Sequence, residues 1–240
     1  MIVLFTDFGL EGPYIGQMKA VLHQGAPEAK VIDLFSDVPV CNPTSASYLL
    51  AAYAVDFPPE TVFLAVVDPG VGSDRDAVIM HADSRWFVGP DNGVLNTVAA
   101  LGKDVKWWEI TWRPEKLSAS FHGRDLFAPV AAMLARGDPP PGEIIDPPAG
   151  ASNWPTDLAR VIYIDHFGNA ITGIRASSCS EDQTLKINDH VISHARTFSD
   201  VEHDQTLWYE NANGLVEIAV NKGRADHVLD INIGDAVTLE

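Results

Sequence analysis

A proline-dense segment divides the 240-residue chain into two parts with different patterns. It reads "GDPPPGEIIDPPAGASNWP" and carries five prolines between Gly137 and Gly150, with a sixth at Pro155. Proline fixes φ and lacks a backbone donor, so we expect no regular element in so dense a run. The pattern predicts a first domain over 1–138, a linker over 139–156 and a second domain over 157–240.

Strand-like and helix-like runs alternate upstream of this segment. "MIVLF" and "TVFLAVVD" are continuous apolar runs, as expected of strands that are covered on both faces. "YIGQMKAVLHQ", "NPTSASYLLAAYAVDF" and "LFAPVAAMLARG" carry apolar residues at helical spacing. Further strands are predicted at "KVIDLF", "DAVIMHAD", "RWFVG" and "KWWEI", and a short helix at "GVLNTVAAL". The alternation predicts an α/β domain with a mainly parallel sheet.

Downstream of the segment, short β-rich runs lie between turn signals. They are "RVIYIDHFGNAITGI", "TLKIN", "HVISHARTF", "LWYENANGLVEIAV" and "AVTLE". "NANG" fits a tight turn between two strands. This part predicts a small all-β domain, either a barrel or a sandwich.

Charge and composition narrow the classes of function. The formal net charge of −17 disfavours nonspecific nucleic-acid binding, because phosphates would be repelled. No apolar run reaches the roughly 18 residues of a membrane span, and the N-terminus has no basic region typical of a signal peptide. Cys41 and Cys179 lie far apart without metal-ligand spacing, which favours a reducing cytoplasm over a disulfide framework.

Three acidic residues follow predicted strands of the first domain inside glycine-containing loops: Asp7 in "FTDFG", Asp68 in "AVVDPGVG" and Asp91 in "VGPDNG". Ligands of open α/β sheets bind at the carboxyl ends of strands, so these carboxylates are expected to converge on one site. The alternative is that each residue only makes a turn. The glycine spacings match neither a P-loop nor a dinucleotide fingerprint, and no HExxH or G-x-S-x-G run is present.

The run "FHGRDLFAPVAAM" places polar residues at the start of an apolar helix. Gly123, next to His122, would allow close approach of the backbone to a ligand. Arg124 and Asp125 are expected to form structural contacts, since an acid also suits the helix N-terminus. By itself, a lone histidine at this position favours an ordinary helix-cap residue over a site residue.

Seven runs in order resemble the S-adenosylmethionine hydrolase family, also called hydroxide adenosyltransferases, which is related to the fluorinase and chlorinase enzymes. They extend from Asp7 to Ala225, nearly the whole chain. The resemblance implies an N-terminal α/β/α domain, a C-terminal β-barrel and a homotrimer whose active sites lie between one subunit's first domain and its neighbour's second. The runs are "TDFG", "YIGQMKA", "VVDPGVGSDR", "FVGPDNGVL", "FHGRDLFAPVAA", "IDHFGNAIT" and "NGLVEIAVNKGRA".

The resemblance also implies roles for individual residues. Asp68, Arg75 and His122 match the set that handles water, and the halide enzymes carry Tyr where this chain has Asp68. Asp7 matches the carboxylate that binds the ribose hydroxyls, and Asp165 the partner of the methionine ammonium. Ala212 replaces the serine usual in the family's "NANG" turn, which leaves Asn211, Asn213 or backbone amides for the methionine carboxylate. The remaining substrate-binding positions are Phe167, Asn169 and Phe198 at the adenine, together with Phe121, Gly123 and Asn221.

The expected activity is hydrolysis of S-adenosyl-L-methionine to adenosine and L-methionine, by in-line attack of water at the ribose C5′ without metal or cofactor. Three alternatives stay open at this point. One is a halide-dependent adenosyl transferase, which Asp68 disfavours. The second is a non-catalytic sensor of adenosine or S-adenosylmethionine. The third is a metal-dependent hydrolase that uses Asp68, Asp91 and His122.

Overall fold

The computed structural model describes residues 1–240. The chain forms two compact units, Met1–Thr156 and Asp157–Glu240, which we call unit 1 and unit 2. None of the helices is both long and apolar enough to cross a lipid bilayer.

Unit 1 is built on one seven-stranded sheet with the strand order β2-β1-β3-β5-β4-β6-β7. Its elements in chain order are β1 (Ile2–Thr6), α1 (Tyr14–Gly25), β2 (Val31–Phe35), α2 (Pro43–Ala54), β3 (Val62–Val66), β4 (Ala77–Ala82), β5 (Arg85–Pro90), α3 (Asn96–Leu101), β6 (Lys106–Ile110), a π-helical turn (Gly123–Phe127), α4 (Ala128–Ala135) and β7 (Gly142–Ile145).

The sheet is mixed, and the prediction of a mainly parallel sheet is wrong for half of it. β2, β1, β3 and β5 run parallel to one another, whereas β4, β6 and β7 join them through antiparallel pairings. The reason is the β4–β5 hairpin, which reverses the chain without a crossover helix. Apolar runs indicate burial of a strand, but they carry no information about its direction.

Successive side chains of the central strands are buried on opposite faces of the sheet. Ile2 and Leu4 belong to the core that includes residues of α1 and α4. Phe5 faces the other way, where it packs on Phe35, which in turn packs on Tyr53 of α2 with ring centroids 5.0 Å apart. Helices therefore cover both faces of the parallel half, which explains why β1 and β3 read as unbroken apolar runs.

The proline-dense segment contains regular structure, contrary to the prediction. β7 (Gly142–Ile145) lies between its two proline clusters and pairs with β6 at the edge of the sheet. An edge strand tolerates flanking prolines because one side of its backbone needs no ladder partner. Gly142 is required by the close pairing, since a Cβ there would lie 1.9 Å from the carbonyl oxygen of Glu109.

Unit 2 consists mainly of two antiparallel sheets, ordered β12-β13-β9-β8 and β11-β10-β14. Isolated bridges join Arg160 of β8 to Ala236, and His194 to Trp208 of β12. The "NANG" turn connects β12 to β13, as predicted. The elements are β8 (Leu158–Ile164), β9 (Ala170–Arg175), β10 (Leu185–Ile187), β11 (His190–Ile192), β12 (Thr206–Glu210), β13 (Leu215–Val220), α5 (Ala225–Val228) and β14 (Val237–Leu239).

Candidate active site

A cavity of about 300 Å³ opens in unit 1 beyond the carboxyl ends of β1 and β3. Asp7 directly follows β1, and Asp68 follows β3 by two residues. Their convergence agrees with the rule that ligands of open α/β sheets bind at this edge. Five of the predicted site residues line this unit-1 cavity: Asp7, Asp68, Phe121, His122 and Gly123.

Arg75 links two of the polar residues that line this cavity, Asp68 and His122. Its Nε donates to Asp68 Oδ1 at 2.8 Å and its Nη2 donates to Asp68 Oδ2, so the pair is bidentate. The same Nη2 lies 3.0 Å from Nδ1 of His122. Both members of the ion pair are largely buried, with 10% of the Arg75 side chain and 5% of the Asp68 side chain exposed. This geometry fixes the orientation of the carboxylate and the imidazole together.

The contact with Arg75 also determines the tautomer of His122. A guanidinium only donates hydrogen bonds, so Nδ1 of the imidazole must accept, and the proton of the neutral ring lies on Nε2. Burial and the positive charge of Arg75 lower the pKa of His122 below its ordinary value of 6.5. The histidine is therefore neutral at pH 7 and offers Nε2–H as a donor.

The loop that carries Asp68 and Arg75 approaches the segment before His122 very closely. At Gly72, with φ of +81°, a Cβ would lie 2.4 Å from the carbonyl oxygen of Ala119. Only glycine allows both this backbone conformation and this approach. The glycines of "DPGVGSDR" thus bring the Asp68–Arg75 pair to His122, 47 residues further along the chain from Arg75.

His122 immediately precedes a π-helical turn over Gly123–Phe127, which then continues into α4. The amide of Ala128 donates to the carbonyl of Gly123, five residues back. Pro129 follows at the start of α4, where it cannot donate a backbone hydrogen bond and its ring disfavours a regular preceding turn. Widened turns of this kind are frequent at functional sites. The predicted apolar helix is therefore present, and its first turn is the widened one that follows His122.

Gly123, Arg124 and Asp125 pack this turn against its neighbours. A Cβ at Gly123 would lie 3.2 Å from Cζ of Phe8, so the glycine admits the aromatic ring that lines the cavity. Arg124 Nε donates to Asp125 Oδ1 at 2.6 Å, and Asp125 Oδ2 accepts from the backbone of Ser118 at 2.9 Å. Arg124 and Asp125 thus make the structural contacts expected of them.

Asp7 is held by the loop that precedes α2. Its Oδ2 accepts from the backbone amide of Cys41 at 2.9 Å. Cys41 itself adopts a left-handed φ of +56°, and its thiol is free. Burial is the main cause that raises the pKa of Asp7 above its ordinary value, and the nearby carboxylate of Asp68 adds to it.

A second cavity, of about 800 Å³, lies in unit 2. Asp165 accepts at Oδ1 from the backbone amides of Phe167 and Asn169, at 2.9 and 2.8 Å. The side-chain amide of Asn169 donates to its other oxygen at 3.2 Å. Phe167 projects into solvent with 71% exposure, and Phe198 packs edge-on against Tyr209. All four predicted residues of this group line the unit-2 cavity: Asp165, Phe167, Asn169 and Phe198.

Glu217 forms the buried floor of the unit-2 cavity. Its carboxylate accepts from the hydroxyl of Tyr209 and, at 3.0 Å, from the side-chain amide of Asn211. Burial raises its pKa above the ordinary value, although these hydrogen bonds oppose the rise. Asn211 in turn accepts from the backbone amides of Asn213 and Leu215 at 3.0 Å. One carboxylate therefore ties the "NANG" turn to the cavity.

Four candidate site residues lie outside both cavity linings: Arg75, which contacts the lining residues Asp68 and His122, and Asn213, Asn221 and Asp91. Asn213 belongs to the turn after β12, and the side-chain amide of Asn221 donates to the carbonyls of Val201 and Glu202 at 2.9 and 3.2 Å. Asp91 follows β5 but does not line the unit-1 cavity. No group of three or more His, Cys, Asp or Glu side chains is arranged to hold a metal ion.

Several lining residues were not predicted. In unit 1 most of them flank predicted residues: Phe8 follows Asp7, Val66 precedes Asp68 by two, and Ser120 precedes Phe121. These three residues could have been predicted from the sequence, because each lies within two positions of a predicted site residue. In unit 2 Lys222 has the same signal, because it follows the predicted Asn221, whereas Arg224 reads as a surface charge. The further lining residues are Tyr14 and Val71 in unit 1, and His166, Tyr209, Glu217, Val220 and Gly223 in unit 2.

Comparison with known proteins identifies similar chains over almost the full length. An (R)-S-adenosyl-L-methionine hydrolase from Salinispora arenicola is 39% identical over 96% of this chain and 94% of the relative. A protein of the same name from Thermus thermophilus is 35% identical over 99% of this chain and 98% of its own. An uncharacterized conserved protein from Thermotoga maritima, with a solved structure, superposes with a TM-score of 0.88 at 35% identity and covers 100% of this chain and 99% of its own.

The family comparison matches each unit separately. The SAM hydroxide adenosyltransferase N-terminal domain matches residues 2–144, and the C-terminal domain of the same family matches residues 159–238. The two matches keep the family's order and together span both cavities described above. The chain therefore belongs to the S-adenosylmethionine hydroxide adenosyltransferase family.

Proposed function

We propose that this protein hydrolyses S-adenosyl-L-methionine to adenosine and L-methionine. The observation that carries the proposal is the buried Asp68–Arg75–His122 cluster at the unit-1 cavity, in a chain whose relatives carry the name of that hydrolase. Water attacks C5′ of the ribose in line with the C5′–S bond. The new C5′–O bond forms as the C5′–S bond breaks, and its electron pair passes to sulfur.

The reaction depends more on alignment of the water with the C5′–S bond than on activation of the water or of the leaving group. The sulfonium makes methionine a good leaving group, and its charge disappears in the transition state. Neutral attacking water becomes a strongly acidic oxonium, so a weak base suffices to remove its proton. Asp68 supplies that base, because Nδ1 of His122 accepts from Arg75 and its Nε2 carries a proton. His122 orients the water through Nε2–H, and Arg75 fixes both partners. We propose no cofactor and no metal for this reaction.

The other predicted residues serve binding. In this proposal Asp7 binds the ribose hydroxyls, with Phe121 and Gly123 shaping the same cavity. Asp165 binds the methionine ammonium, and Asn169 is positioned by hydrogen bonds to Asp165. Phe167, Asn169 and Phe198 enclose the adenine. Asn213 contributes through the "NANG" turn, and Asn221 through the carbonyls that it holds.

We further propose that the active protein is a homotrimer with active sites at subunit interfaces. Exposed apolar side chains near the unit-1 cavity support this assembly, because Leu10 and Val40 are 81% and 74% exposed. Leu10 lies between the cavity residues Phe8 and Tyr14, and Val40 precedes Cys41, which binds Asp7. Covering these side chains would also exclude water that competes with the nucleophile.

Two finer assignments belong to the same proposal. Two isolated bridges support closure into a barrel: Arg160 of β8 pairs with Ala236, just before β14, and Trp208 of β12 pairs with His194, two residues after β11. An exposed free thiol at Cys41 supports a location in the reducing cytoplasm.

The test is incubation of the purified, metal-free protein with S-adenosylmethionine, followed by chromatography for adenosine and methionine. Asp68→Asn and His122→Ala are expected to reduce product formation by about 100-fold or more, whereas Asp74→Asn, at an exposed residue of the same loop, should not. Tight binding of adenosine without turnover would instead identify a sensor. Formation of adenosine only after a divalent metal ion is added back would identify a metal-dependent hydrolase, and halide-dependent formation of a 5′-halo-adenosine would identify a halide transferase.

A further inference from the structure

The run "VGPDNG" leads from β5 toward α3, and the reaction proposed above does not use its acid, Asp91, which lies outside the cavity lining. The next residue does contact the segment that carries the site. The side-chain amide of Asn92 donates to the backbone carbonyl of Val67 at 2.8 Å. Val67 is fully buried and directly precedes Asp68, the proposed base. One hydrogen bond therefore joins this loop to the residue before the base.

The peptide group that Asn92 binds also contains the Cα of Asp68. β3 ends at Val66, so the carbonyl of Val67 lies beyond the strand, and the side chain of Asn92 supplies its donor. Because a peptide group is planar, holding its oxygen also restricts the nitrogen and Cα of the following residue. Arg75 binds the other end of Asp68, at both carboxylate oxygens. Asn92 thus restrains the backbone of the base, and Arg75 restrains its side chain.

The same loop also supports Arg75. The backbone amide of Asp91 donates to the carbonyl of Asp76 at 3.0 Å. Nη1 of Arg75 donates to that same carbonyl at 3.1 Å. The loop after β5 therefore holds the segment 68–75 at both ends, through Val67 on one side and Asp76 on the other.

Further contacts within unit 1 fix the shape of this loop. Oδ1 of Asn92 accepts from the backbone amide of Val94 at 3.2 Å, which leaves the side-chain nitrogen as the donor toward the site. Gly93 has a φ of +95°, and a Cβ there would lie 3.2 Å from Cη2 of Trp154. Nε1 of Trp154 in turn donates to Oγ1 of the buried Thr97 at 2.8 Å. The side chain of Asn92 is therefore held in one orientation.

We propose that Asn92 is a positioning residue, which holds Asp68 where it can accept the proton of the attacking water. The proposal rests on the hydrolase function proposed above. Asn92 contacts neither the water nor the substrate, and it exchanges no proton in the reaction. Its loss should therefore slow the chemical step and leave substrate binding through Asp7 and Phe121 unchanged.

The test compares Asn92→Asp and Asn92→Ser with the parent protein in steady-state kinetics. Asn92→Asp keeps an oxygen that can accept from Val94 and loses the donor to Val67. Asn92→Ser can also accept from Val94, but its side chain is too short to reach Val67 and adds no charge. For both variants we expect kcat to fall by about tenfold or more, with KM within about threefold of the parent value.

Asn188→Asp is the matched control. The side-chain amide of Asn188 also donates to backbone carbonyls, those of Leu229 and Asp230 at 3.2 and 3.0 Å, but this residue lines neither cavity. Each Asn→Asp change removes a donor of the same kind, so we expect Tm to fall by about 2–4 °C in both. Only Asn92→Asp should also lose kcat.

The outcomes separate this inference from the proposed function. A parent protein that forms no adenosine overturns both. An active parent with an unchanged kcat in Asn92→Ser overturns the role of Asn92 alone, and so does an equal loss of kcat in Asn188→Asp, which would assign the loss to destabilisation. A crystal structure of Asn92→Ser should show the carboxylate of Asp68 displaced by about 1 Å, and an unmoved carboxylate would refute the proposal independently of activity.

Discussion

Arg75 is the residue that fixes two polar groups of the unit-1 cavity, Asp68 and His122. It holds Asp68 through two parallel hydrogen bonds and donates a third to His122. A planar guanidinium can serve a carboxylate bidentately and still reach a further acceptor, whereas an ammonium of the same charge cannot hold that fork. The positive charge of Arg75 alone therefore does not explain how Asp68 and His122 are held, and the planar shape of the guanidinium is also needed.

Replacement of Arg75 by lysine keeps the charge and removes the fork. We expect Arg75→Lys to lower kcat by about 100-fold, since displacement of reacting groups by about 1 Å has effects of that size. Steady-state kinetics with S-adenosylmethionine measure the change. Arg136→Lys, at an exposed ion pair at the end of α4, is the matched control and should behave like the parent protein. Equal activity in the two variants would show that the fork is dispensable.

His122 gives the reaction a predictable pH dependence. Protonation places a proton on Nδ1, ends its hydrogen bond with Arg75 and sets two positive charges side by side. Because burial and Arg75 lower the pKa of His122, kcat/KM should be level near pH 7 and fall only below pH 6.5. The unfolded chain binds this proton more readily, so the free energy of unfolding should also fall as the pH drops through that range.

The matching variant is His122→Asn, whose side-chain oxygen can accept from Arg75 without titrating. We expect its kcat/KM to be lower at pH 7 but to lose the decline that the parent protein shows below pH 6.5. Both profiles are measured with a substrate concentration well below KM. A variant that keeps the parent's acid limb would assign that limb to another group, such as Asp7.

Among the elements of unit 1, the buried strands were the most predictable from sequence. β1 and β3 are covered on both faces and show as apolar runs. The β4–β5 hairpin was predicted only as a pair of strands, and its tight turn uses left-handed φ values at Asp83 and Ser84. The mixed strand directions were missed because they depend on such connections. β7 was missed because its stability comes from pairing with β6, and local propensity does not include that contribution.

Glycine-to-alanine substitutions should have opposite effects on stability in the edge strand β7 and in the helix α1. Gly142→Ala places a methyl group against the carbonyl of Glu109 and should lower the free energy of unfolding by about 1–3 kcal/mol. Gly16→Ala, in the exposed part of α1 with no atom near the added Cβ, should raise it by about 0.5–1 kcal/mol. Denaturant titration gives both values. A neutral Gly142→Ala would mean that β7 can leave β6 without cost.

At the scale of the whole molecule, the sequence indicated the residues of the site but not their contacts. Asp68 and Asp7 were predicted from their positions after strands, whereas the contact between Arg75 and His122 depends on the fold that brings the Gly72 loop to Ala119. The burial of Glu217 and of the Thr6 hydroxyl has no local signature, since a glutamate or threonine in a strand more often faces solvent. Burial is a property of the assembled fold.

The net charge of −17 per chain makes the proposed trimer sensitive to salt. Subunits of like charge repel one another, and added ions screen the repulsion. We expect sedimentation to give three times the 26.0 kDa of the chain at 0.15 M salt or above, with dissociation on dilution easier at 0.01 M. Specific activity should fall in parallel with dissociation. A fully active monomer would exclude sites that are shared between subunits.

The π-helical turn over Gly123–Phe127 makes the site sensitive to deletion of a single residue. Such a turn holds one residue more than the α-helical turn that it replaces. An in-frame deletion of one codon within it would restore a regular helix. Successive residues of an α-helix are about 100° apart around the axis, so His122 would swing by that angle relative to the apolar face of α4. The core would stay packed, but the imidazole of His122 would lose its contact with Arg75. Deletion of a single residue would therefore give a folded but catalytically inactive variant.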